Sequence, residues 1–250
     1  MSTVVIQAYD AGSVVIQAYD AGTIVETQSL FTPDWDARPT LQAGCIFHSP
    51  LNETSGTTAA DVSGNGNHGI WVNSPTLAQP PMGSNALKSV LLGGTSYLAM
   101  PAGALVNYAT TSMTAYVRFK TSTSGDVVFS ASSSSTHYIA GQINGTNMLV
   151  RVYDGSVLKT ITIAGAGDGN THDLVIRWNQ STLTLSAWMD GTAYTPQVAT
   201  GLAPAAPTKI EFGGNGNMSF TSTLDGPIEL PRLYSVALSD ALCLELSTFI

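Results

Sequence analysis

The chain has 250 residues, a net charge of −8 from 9 basic and 17 acidic side chains, and only 10% charged residues in all. Its Lys and Arg stand singly, which argues against a phosphate-binding surface for nucleic acid, and no apolar run nears the roughly 20 residues that span a bilayer. The 44% hydrophobic content suffices for one large core, so the polar surface is left mostly to Ser, Thr, Gly and Asn, which suit protein neighbours or sugar hydroxyls.

The N-terminal arm carries an exact tandem repeat: residues 4–12 read Val-Val-Ile-Gln-Ala-Tyr-Asp-Ala-Gly and recur at 14–22, with a degenerate third copy from Thr23. The period of ten is even, so equivalent side chains of extended copies face the same way. Each copy is β-rich and ends in turn chemistry. The copies form either a small meander or strands that each add to a site on a partner. An isolated hairpin is marginal in water, so the arm is expected to dock on other copies or on an assembly. Val4–Ile6 is too short for the apolar core of a signal peptide, and the first basic residue is Arg38. Residues 31–40, with two prolines and two acids, read as a linker. The expected boundary puts the arm at 1–42 and the domain at 43–250.

After a strand at 43–48, residues 61–69 read Asp-Val-Ser-Gly-Asn-Gly-Asn-His-Gly. Three glycines and two asparagines in nine positions make a tight loop. Its carbonyls, carboxamides and the Asp61 carboxylate are the oxygen donors that a hard cation takes. Further strands are expected at 69–72, 86–92, 112–120, 126–130, 137–142, 147–153, 157–163, 171–178, 182–188, 209–213 and 225–234. Asp154-Gly155 and Asp190-Gly191 are hairpin signals. Only 239–247 reads as a helix, with Ser239 as its cap. Short strands this frequent indicate a two-sheet sandwich.

The 61–69 loop, with the Leu51–Ala60 segment before it, resembles the opening of laminin-G-like domains of the concanavalin A-like lectin/glucanase superfamily. Residues 224–239 (LDGPIELPRLYSVALS) are similar to the closing segment of such domains, Tyr97–Pro101 and Ser112–Arg118 to two strands between, and the similarity covers roughly 43–247. The implied fold is all-β, a concanavalin A-like jelly-roll sandwich preceded by the β-repeat arm. The closing strand departs from the pattern: an Asp-Glu pair becomes Glu229-Leu230, and Pro231 replaces a hydrophobe, so a bulge or an edge position is expected there. The resemblance points to Asp61 with Asn65 or Asn67, joined by Glu229, as ligands of one structural calcium ion; the alternative is a plain turn whose Asp and Asn bond their own backbone. In this fold the first and last core strands are neighbours, so Cys45 and Cys243 could pair, but two buried thiols are the favoured reading.

Catalysis has no visible apparatus. A glycosidase would need two carboxylates on one strand flanking the scissile bond, and the acids between Leu91 and Gly201 fall in turns, loops and strand starts. For sugar binding, Trp71, Tyr97, Tyr138, Tyr153, Trp178 and Trp188 are the aromatic candidates. Trp178 and Trp188 lie inside strands, where core packing is commoner, so Tyr138 and Tyr153, with Asn215 and Asn217 of the Gly213–Asn217 loop, are the expected contacts. The function expected is a non-enzymatic structural protein of a bacteriophage virion, a capsid decoration or tail-fibre appendage on the particle surface. It would be held to capsid or tail proteins by residues 1–42, as a homo-oligomer or in many copies, with glycans as ligands. The alternative is a carbohydrate-binding module of a secreted or cell-surface protein.

Overall fold

The computed structural model describes residues 3–9, 13–20, 23–29, 39–83, 88–219 and 222–248. The chain falls into two compact units, Met1–Ala43 and Gly44–Ile250. In the first, β1 (Thr3–Tyr9), β2 (Ser13–Asp20) and β3 (Thr23–Ser29) pair in sequence order as an antiparallel meander. The strands begin ten residues apart, matching the repeat. The register sets Ile6 opposite Ile16, the same position of each copy. A short helical turn, α1 (Pro39–Gln42), follows. The rest of the expected linker lies outside the described residues.

The second unit holds two antiparallel sheets. Its strands are β4 (Cys45–His48), β5 (Thr58–Ala59), β6 (Gly69–Val72), β7 (Thr76–Gln79), β8 (Ser89–Gly93), β9 (Tyr97–Ala99), β10 (Met113–Lys120) and β11 (Val127–Ser134). They continue as β12 (His137–Asn144), β13 (Asn147–Asp154), β14 (Leu158–Ile163), β15 (Thr171–Asn179), β16 (Thr184–Met189), β17 (Thr192–Ala193), β18 (Gln197–Val198), β19 (Lys209–Phe212) and β20 (Asp225–Tyr234). A nine-stranded sheet runs β17-β16-β15-β10-β20-β8-β7, with β18 on β16 and β4 on β20; an eight-stranded sheet runs β14-β13-β12-β11-β19-β9-β6-β5. Helix α2 (Asp240–Leu246) closes the chain, and the Ser239 hydroxyl accepts from the Leu242 N–H at 3.3 Å, the expected cap.

Alternation along the strands builds the core. Met113, Ala115, Val117 and Phe119 of β10 meet Ile139 and Ile143 of β12 and Val150 and Val152 of β13 in one apolar cluster. Side chains at the intervening positions face outward. The two Asp-Gly signals are turns: Gly155 has φ 88°, and Asp190 and Gly191 have φ 49° and 72°, the positive pair a type I′ turn needs.

Several elements differ from expectation. Strand β7 was not anticipated, and Ala86 and Leu87 of the 86–92 strand lie outside the described residues. Pro231 sits in a central strand, not at an edge, and the bulge is real. Arg118 pairs with Glu229 and Tyr116 with Arg232, so Val117 alone faces Leu230 and Pro231. Leu230 takes φ 54° there. The first half of β20 pairs with β8 and its end with β4. Proline, with no N–H to donate, occupies the gap where neighbours change. Cys45 and Cys243 are both free and buried; burial pushes each thiol up to about 12.

Candidate functional site

The register of β12 on β13 sets Tyr138 opposite Tyr153 and Ala140 opposite Arg151. These positions alternate with core residues, so they share the outer face of the eight-stranded sheet. The two rings stand edge to face at 5.7 Å. The Gly213–Met218 loop folds over this face: Ser130 Oγ donates to the Gly214 carbonyl, Asn217 N–H to Ser132 Oγ, and Gly216 N–H to the Glu211 carboxylate. Met218 packs with Val127, Tyr138 and Ala140. The structure therefore brings Tyr138, Tyr153 and Asn217 to one place, but it covers Tyr138, which is only 7% exposed. Tyr153 keeps more surface and donates its hydroxyl to the Gly155 carbonyl. Asn215 and Asn217 are half-buried, and the Asn217 amide donates to Thr208 Oγ1. Burial raises the carboxyl of Glu211 beneath the loop.

Asp61 holds its own loop together. Its carboxylate accepts from the backbone of His48, Ser63 and Asn67 and from the Ser63 hydroxyl, all within 3.1 Å. The side-chain amides of Asn65 and Asn67 donate to the carbonyls of Cys45 and Ile46, which pins the loop to β4. Glu229 lies in β20, beside β4 in the nine-stranded sheet, but its carboxylate is held by Arg118 and is not a partner of Asp61. A calcium ion at Asp61 would have to replace these donors. Among the described residues no group of three or more His, Cys, Asp or Glu is arranged to hold a metal. Asp61→Ala should cost about 2–3 kcal/mol, because it strands several donors at once. Melting curves with calcium and with chelator decide the ion. A rise with calcium that Asp61→Ala removes supports binding; coincident curves leave Asp61 as a turn anchor.

Two carboxylates do come together, from different strands. Arg118 of β10 lies between Asp173 of β15 and Glu229 of β20, with Nε–Oδ1 at 3.0 Å, Nη2–Oδ2 at 3.1 Å and Nη1–Oε2 at 3.2 Å. Tyr116 donates its hydroxyl to Asp173 at 2.7 Å, and the guanidinium of Arg232 lies 5.5 Å from the Tyr116 ring centre. Arg118 is 1% exposed. Burial pushes Asp173 up to about 6 and raises Glu229, with Arg118 opposing both. This convergence had no sequence signal, since the residues are far apart along the chain and adjacent only through the β15-β10-β20 order.

Among the tryptophans, Trp178 is core, its indole N–H bonding the Tyr108 carbonyl and Gln180. Trp188 lies on the outer face beneath the Arg177 guanidinium at 4.7 Å. Trp71 is 4% exposed and forms one wall of a depression of about 400 Å³ at the edge of the sandwich.

Residues 92–242 match the Laminin_G_3 family of the concanavalin A-like lectin/glucanases superfamily. The chain belongs to this superfamily. The matched span is shorter than the 43–247 resemblance and leaves the 61–69 loop outside. No curated protein matches. Among solved structures, the receptor-binding domain of botulinum neurotoxin C/D mosaic serotype has a TM-score of 0.62 at 11% identity, covering 83% of this chain and 52% of that one. Domain 4 of AbnA, a GH43 extracellular arabinanase from Geobacillus stearothermophilus solved with arabinotriose, has a TM-score of 0.61 at 15% identity, covering 81% and 98%. The Ruminococcus gnavus IT-sialidase CBM40 has a TM-score of 0.54 at 12% identity, covering 64% and 96%. The chain thus spans about half the length of the toxin domains and nearly all of the two carbohydrate-associated modules. At these identities the likeness establishes the lectin-like jelly-roll fold of this superfamily member.

Proposed function

We propose that this superfamily member is a non-catalytic display protein. Its lectin-like domain binds glycans, and its repeat arm fixes many copies to an assembly, the surface of a bacteriophage virion. The observation that carries the reading is the joining, in one chain, of a lectin-like sandwich with a duplicated β-arm that forms a compact unit of its own. The arabinanase domain solved with arabinotriose and the sialidase module support a glycan as ligand. The hydroxyl- and amide-rich surface supports it too, because such groups match sugar hydroxyls. Asp173 and Glu229 are buried against a shared arginine, an arrangement suited to holding strands rather than to cycling a proton on a sugar. Affinity per domain would be weak and made useful by copy number.

A glycan array probed with multivalent and monomeric protein tests the first part. Hits are expected in the multivalent format and should fade for the monomer; no hit in either format overturns glycan binding. Deleting residues 1–37 tests the second: the remaining domain should be soluble and absent from purified particles, and normal incorporation overturns the arm's role. The alternative, a carbohydrate-binding module of a secreted or cell-surface protein, draws support from the near-complete coverage of the two carbohydrate-associated modules. It predicts glycan binding with no particle association.

A further inference from the structure

We propose that the open edge of the sandwich at Trp71 is a binding site for an uncharged sugar residue. This rests on the glycan-binding reading above and moves its location from the favoured Tyr138 and Tyr153 face to Trp71, one of the other aromatic candidates. Strand β5 is the last strand of the eight-stranded sheet and β7 the last of the nine-stranded sheet. Between them the 54–57 and 74–77 segments frame the depression beside Trp71. The Trp71 backbone N–H donates to the Thr57 carbonyl at 2.8 Å, which ties the indole's strand to the rim.

Three observations meet there. First, the walls carry the hydroxyls of Thr54, Ser55, Thr57, Ser74 and Thr76, and no charged residue. Among the described residues none of the five hydroxyls has a side-chain hydrogen-bond partner, whereas Ser63, Ser89, Ser130 and Ser132 are all committed elsewhere. Second, the Trp71 indole N–H is buried and has no acceptor among the described residues. A buried indole N–H ordinarily finds a partner, and one left without calls for an explanation such as a water or a ligand. Third, Asn73, Ser74 and Ala78 hold φ of 58°, 51° and 56° in the β6–β7 wall. Side-chain-bearing residues adopt this region at a cost, and such strain gathers at ligand-contacting segments.

The chemistry selects the ligand. Hydroxyls donate and accept, as sugar hydroxyls do, and an indole adds an apolar surface and a single donor. The charge-free wall offers no counter-ion, so a sialic acid or uronic acid carboxylate would lose its hydration without compensation. The outer-face cleft at Trp188 is a weaker candidate, because Arg177 covers that ring and is itself held by Asp240 at 2.6 Å.

The test is an indole ¹H–¹⁵N spectrum of the full chain, with the Trp71 signal assigned through Trp71→Phe. It is titrated with methyl glycosides of glucose, galactose, mannose and arabinose, and with N-acetylneuraminic acid as the charged control. A neutral glycoside should shift the Trp71 signal saturably, and Thr57→Val and Ser74→Ala, both at exposed positions, should weaken that binding about tenfold or more while leaving the melting temperature unchanged. Binding that shifts other signals and leaves Trp71 unmoved, or that survives both hydroxyl variants, overturns this site while the glycan-binding reading stands. A preference for the charged control overturns the uncharged-ligand assignment. No perturbation by any sugar, together with an empty multivalent array, overturns the reading and the site together.

Discussion

Arg118→Met should lower stability by about 3–5 kcal/mol at pH 7, the penalty for leaving buried charges without their partner. Both Asp173 and Glu229 lose their cation at once, and both are almost wholly buried, 2% and 0% exposed. The loss should shrink near pH 4, where both carboxyls take up protons and no charge remains to be stranded. A triple variant, Arg118→Met with Asp173→Asn and Glu229→Gln, should be more stable than the single one, since the uncompensated charges are gone. Denaturant unfolding of the three proteins at pH 4 and pH 7 measures all of this. A single variant within 1 kcal/mol of the parent at pH 7 would show that the three strands do not depend on the arginine.

The second large effect is on the stability profile with pH. Burial pushes Asp173 from 3.8 to about 6. Between those values the folded protein therefore holds a proton that the unfolded chain has lost, and stability falls as pH rises through the interval. Taken alone, Asp173 contributes a decline of roughly 3 kcal/mol. Burial raises Glu229, Asp126 and Glu211 in the same direction. His172, held between Asp190 at 2.6 Å and Asp168 at 3.0 Å, is raised above 6.5, so its contribution is lost as pH climbs through the raised value. Asp168 moves the other way, down to about 2, chiefly through the Asn170 N–H, and its contribution fades as pH drops below 3.8. The melting temperature should thus peak near pH 4 and decline toward pH 8, and Asp173→Asn should flatten the stretch from 4 to 6. A melting temperature that rises from pH 4 to 6 would contradict the shift.

Local signals carried the fold. Period-two runs such as Met113–Lys120 and the Asp-Gly turns announced strands and hairpins, because alternation and positive φ are dictated residue by residue. Strand β7 leaves no period-two signal, because its four residues, Thr-Leu-Ala-Gln, pair irregularly with β8 and contain Ala78 in the left-handed region. The Pro231 bulge was readable because proline's missing N–H is a local fact, whereas its central place depends on which strands flank β20. The surroundings of a candidate site residue depend on the fold in the same way. Tyr138 looked accessible beside a loop, and the fold of 213–218 set Met218 against it. The Arg118 cluster exists only once β15, β10 and β20, distant along the chain, are neighbours, and no spacing along the chain records that.

The meander at the N-terminus has a parity. Each ten-residue copy is one strand, and successive strands run in opposite directions, so the number of copies decides which end of the little sheet the chain departs from. Gaining or losing a single copy would leave the pairing of the others intact and send the rest of the polypeptide out on the opposite side; two copies would restore it. A tandem duplication here is a two-position setting for the direction of exit, open to selection in steps of ten residues.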